Sequence, residues 1–130
     1  MSKILKYALC FVLIFGISVL SLLPAQAMWR IGIAKEGEHF AAYFGAVLLI
    51  GAAFRVGWRQ GFLMAVGFVT LAGLLEFLQT FSPGRAPHFR EFLASAAGAV
   101  SGAIVIQFMS MRMFKILRRN NISIYNDAFK

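Results

Sequence analysis

Polar residues in this chain are gathered between long apolar blocks. The blocks run about 4–23, 38–56, 61–81 and 92–111. A helix rises about 1.5 Å per residue, so some twenty residues match the roughly 30 Å hydrocarbon core of a bilayer. Four membrane-crossing helices are the elements this pattern predicts. The second block is the shortest, apolar from His39 to Phe54 except for His39 and Tyr43; Gly37 before it and Val56–Trp58 after it can lengthen the helix, with Arg55 reaching back to the interface. Arg55, Gly57, Trp58, Arg59 and Gln60 make a tight basic turn, while Ser82-Pro83-Gly84 and Pro87 break the chain between the last two blocks. The fourth block carries no charge and is rich in Ala, Gly and Ser. Its Gly98 and Gly102 form a GxxxG surface expected to pack closely on another helix of the same chain rather than on a second copy, with the oligomeric state left open.

Composition agrees. Of 130 residues, 60% are hydrophobic and 14% charged, against about 45–50% and 25% in soluble domains. This describes one all-α membrane domain over 1–111, a compact four-helix bundle, followed by a basic amphipathic tail over 112–130 that is expected to lose order from Asn120. The net charge of +8 does not indicate nucleic acid, because the cations sit at the ends of apolar runs and in the tail. Cys10 is the only cysteine, which excludes an intrachain disulfide and a cysteine metal site.

Lysine and arginine place the ends. Lys3, Lys6, Arg55, Arg59 and five tail residues would face the cytoplasm, leaving Arg30, Lys35, Arg85 and Arg90 outside. Positive-inside then predicts both termini in the cytoplasm of a multi-pass inner-membrane protein. Pro24–Glu38 reads as an outer loop, with Trp29 at the lipid–water interface. Ala25-Gln26-Ala27 offers a second reading, a signal peptide cleaved after Ala27; three further spans favour a retained helix.

Polar residues inside the spans mark the candidate site. Glu76 and Gln79 share one face of the third helix, His39 and Tyr43 one face of the second. A carboxylate at the centre of a span costs about 2.5–3.5 kcal/mol on insertion scales. With Arg85 and Glu91 from the intervening loop, these six residues are expected to meet at the outer end of the bundle. Three roles are open. The network fastens the loop onto the helices; or it binds an anionic headgroup, Arg85 supplying a planar fork and His88 and Arg90 further donors; or Glu76 and His39 move protons in a reaction on a lipid-linked phosphate. No motif names such a reaction. His39, His88, Glu76 and Glu91 are the only plausible metal ligands and show no ligand-pair spacing, so neither metal nor cofactor is expected.

His39-Phe40-x-x-Tyr43, then Glu76-x-x-Gln79-x-Phe81-x-Pro83-Gly84-Arg85, an acid six residues on and Gly98-x-x-x-Gly102 resemble the VanZ-like family of small bacterial membrane proteins, over roughly residues 36–104. Two positions depart from its pattern: Glu91 stands for Asp, and Ser95 for Asn. The latter removes an amide that hydrogen-bonds in both directions. The resemblance implies a cell-envelope or polysaccharide setting and reduced susceptibility to glycopeptides such as teicoplanin. The implied partners are membrane lipids and a lipid-linked envelope precursor.

Overall fold

The structure, a computed structural model, describes residues 1–23 and 34–128, with side chains as far as Arg112. The loop around Trp29 and Arg30 and the cleavage position at Ala27 lie outside the described residues. The described chain is all helical: α1 (Lys3–Leu22), α2 (Lys35–Phe54), α3 (Trp58–Leu78) and α4 (Phe89–Ala128), with a short 3₁₀ turn, Gln79–Phe81, extending α3. All four helices are long and apolar enough to cross a membrane.

Local chemistry sets where the helices begin and end. Ser2 caps α1 by accepting from the Leu5 N–H at 3.3 Å. α3 starts at Trp58, three residues before the apolar block, because Gln60 Oε1 accepts from the Gly57 N–H at 3.0 Å. α2 ends where Arg55 turns left-handed (φ 52, ψ 50), which lets the Val56 N–H reach the Gly51 carbonyl at 3.2 Å. α4 continues past its apolar span to Ala128. No glycine or proline interrupts the sequence between Gly102 and that end.

α2 and α4 run parallel and form the closest pair. A Cβ on Gly98 would collide with the Phe40 carbonyl, and one on Gly102 would lie 3.0 Å from the Phe44 carbonyl oxygen. The GxxxG surface therefore meets backbone of the same chain. Further along, Gly51 faces Ile106 in the same way. α3 packs antiparallel to α4, Gly73 meeting Phe92 near one end and the Gln107 amide bonding the Gly57 carbonyl (2.9 Å) near the other. The small core holds Tyr43, Ala46, Val47, Ile50, Phe68, Ala72, Ala99 and Ala103. α1 joins through Cys10, Leu13 and Ile17 while keeping Ile4, Phe11, Val12 and Phe15 exposed, as suits a helix bathed in lipid.

A polar cluster divided between two helix contacts

The connection from α3 to α4 places the polar residues. Ser82 to Arg85 form a tight turn, closed by the Arg85 N–H on the Ser82 carbonyl at 3.1 Å. Pro83 fixes its first corner and Gly84, at φ 73, supplies the left-handed second one. The turn aims its side chains at the end of α1. Arg85 donates through Nε to the Leu23 carbonyl (2.9 Å) and through Nη2 to the Leu20 carbonyl (3.2 Å). The Ser82 hydroxyl donates to the Leu22 carbonyl at 2.9 Å. Fully buried Gln79 donates its amide to the Ser21 hydroxyl at 3.1 Å. These donors satisfy carbonyls that the last turn of a helix leaves without partners, and a cation there also suits the helix dipole. This is a dock for α1.

Glu76, one turn back along α3, faces the other way. Its Oε2 accepts from the His88 main-chain N–H at 3.0 Å, just ahead of α4. Glu91 does not lie in a loop, as expected; it sits in the first turn of α4, 3% exposed. Pro87 ends the irregular stretch early enough for the helix to start at Phe89, and an acid in a first turn is favoured by the dipole. Lys35 and His39, four apart on α2, grip its two oxygens: Lys35 Nζ lies 3.5 Å from Oε1 and His39 Nε2 3.2 Å from Oε2. The Lys35 side chain stays half exposed, at 49%. Ser95, one turn along α4, donates to the Glu91 carbonyl (2.9 Å) and meets His39 Nδ1 at 3.1 Å. Its hydroxyl thus bonds in both directions, the capacity that Asn would have given at this position.

The six residues singled out from sequence therefore part company. His39, Glu76 and Glu91, from three helices, come together, each offering a ligand atom within 4.8 Å of the others. Gln79 and Arg85 serve the α1 dock. Tyr43 is core, edge-on to Phe68 with ring centroids 6.1 Å apart. Lys35 and Ser21 were not foreseen, and Ser95 entered only as a departure from the family's Asn. Lys35 stands four residues before His39, which was a readable signal; Ser21 gave none beyond being a hydroxyl in an apolar run.

Comparison with known proteins adds little. No protein family and no solved structure matches the chain. A β-(1→2)-glucan export ATP-binding/permease protein (NdvA) of Bradyrhizobium diazoefficiens is 29% identical over 86 residues, covering 63% of this chain. The chain spans only 14% of that protein's length. Four apolar helices and this partial likeness describe a multi-pass membrane protein.

Proposed function

We propose that this is a VanZ-like protein of the bacterial inner membrane, whose polar cluster faces outward and engages the phosphate of an envelope lipid or lipid-linked glycan precursor. The observation carrying this reading is the gathering of Lys35, His39, Glu76 and Glu91 at one end of helices otherwise fit only for lipid. Ionisable groups in spans are expensive and serve a site by default. Nine cations flank the opposite end or lie in the tail, against four at this end, which supports an outward orientation. The resembling string Glu76 to Arg85 lies at the same end of the bundle, and the partly similar exporter is named for export of a β-(1→2)-glucan.

Recognition runs through different residues than the string alone suggests. Arg85 turns its fork to the carbonyls of α1, so the exposed donors of this end, Lys35, His88 and Arg90, meet the phosphate. The headgroup would rest at the mouth of the cluster, where half-exposed Lys35 can trade Glu91 for an anion. A second reading, a fastening network without ligand, is favoured by one observation: Gln79, Ser82 and Arg85 all bond to α1.

Single cysteines at position 85 or 88, with Cys10 replaced, test orientation. Labelling by a membrane-impermeant maleimide in intact spheroplasts is expected; labelling only after permeabilisation would remove the envelope reading. Mass spectrometry of lipid carried through purification then separates the two roles. A phosphate-bearing lipid should be retained by wild type and lost from Lys35→Ala/Arg90→Ala. Its equal retention by both leaves only the fastening role.

A further inference from the structure

We propose that His39, Glu76 and Glu91 bind a divalent transition-metal ion of the zinc class, contrary to the absence of metal expected from their spacing. Four observations carry this.

The first is convergence. One imidazole and two carboxylates reach a common point from α2, α3 and α4, every pair of ligand atoms within 4.8 Å. Zn²⁺ takes nitrogen and oxygen ligands at about 2.0–2.2 Å, so ligand atoms in a tetrahedral site stand about 3.3–3.6 Å apart. His39 and Glu91 stand just inside that separation, at 3.2 Å. Glu76 needs to close by a rotation of its side chain.

The second is the fixed ring of His39. Its Nδ1 lies 3.1 Å from the Ser95 hydroxyl, which itself donates to the Glu91 carbonyl. The ring is thereby held with Nε2 turned to Glu91 Oε2, 3.2 Å away.

The third is charge. Two carboxylates meet here with one half-exposed ammonium, Lys35. A proton on Nε2 would close the His39–Glu91 contact and do nothing for Glu76, whose bond partner is a main-chain N–H. A dication serves all three.

The fourth is support. Metal-binding histidines characteristically donate their other ring N–H to a fixed acceptor, and the Ser95–Glu91 carbonyl relay is such a fixture, buried at the α2–α4 seam. Glu76 is likewise oriented by the His88 main-chain N–H. Three protein ligands leave a fourth position open. Under the reading above, a phosphate oxygen would take that position, but binding of the cation does not depend on it.

The test uses the full-length chain in detergent micelles, stripped with chelator and titrated with Zn²⁺ alone. Uptake of about one ion per chain is expected, with affinity lowered roughly a hundredfold by Glu76→Gln and about ten- to a hundredfold by Ser95→Ala, which removes only the support. Lys35→Ala keeps every ligand and the fold while freeing Glu91 from its competitor; it should tighten binding severalfold. Wild type that takes up no stoichiometric Zn²⁺ would overturn the proposal, leaving a proton as the cation of the cluster. So would unchanged affinity in folded Glu76→Gln, or unchanged or weaker affinity in Lys35→Ala. The titration contains no envelope lipid, so its failure and that of the phosphate reading are distinguishable.

Discussion

The two halves of the polar cluster are built from one short stretch of sequence and do opposite things. On the α1 side, Gln79, Ser82 and Arg85 are donors, and what they meet are acceptors: a hydroxyl and three main-chain carbonyls. Donor meets acceptor in each of these contacts, and the result is a fastening. On the α2–α4 side, the carboxylates of Glu76 and Glu91 converge with the His39 ring, their ligand atoms within 4.8 Å of one another. Like groups brought together in a membrane favour a positive partner, and Lys35 supplies one only from a half-exposed position. Polarity inside a span thus divides by kind: complementary groups close on themselves, and convergent acceptors call for something from outside.

The strongest way to break this contrast is at Glu91. Glu91→Ala takes the buried carboxylate out of reach of Lys35 and His39 and leaves its space in the α2–α4 seam empty. A sharp fall in melting temperature of the detergent-purified chain is expected, with α1 still docked. Next comes Gly98→Leu, which forces the α2 backbone away at the Phe40 carbonyl. Overpacking at such a contact costs about 3 kcal/mol, visible as loss of folded chain from the membrane fraction. Smallest is Arg85→Ala, which frees two carbonyls of α1 at about 1–3 kcal/mol. Cys10 reports on it directly, since it sits on α1 against the core. Its reaction with maleimide in micelles should speed up severalfold, while the α2–α4 side keeps its melting behaviour. Equal reactivity of Cys10 in wild type and variant would mean that α1 does not depend on this dock.

Much of the bundle was legible because a membrane imposes length on apolar runs; α2, α3 and α4 each begin three residues before their apolar blocks, and α4 also runs on past its block to Ala128. Those few residues mattered. Starting α4 at Phe89 moved Glu91 from an expected loop into a rigid first turn, and no hydropathy signal marks that shift, only the place of Pro87. The meeting of His39, Glu76 and Glu91 was legible as a set of outer-end residues. Its split from Gln79 and Arg85 was not. Glu76 and Gln79 share a helix face by spacing, yet Glu76 reaches the His88 N–H ahead of α4 while Gln79 bonds Ser21 on α1.

The parallel seam of α2 and α4 has a further consequence. Ala94, Gly98 and Gly102 recur every four residues, so a slide of one helix along the other by one turn, about 5.4 Å, would again set small residues against backbone. Lipid would scarcely distinguish the two alignments, being equally greasy against both. What tells them apart is Glu91, which can be clasped by Lys35 and His39 at one height only. The glycines let the helices approach; the buried acid decides where they stop.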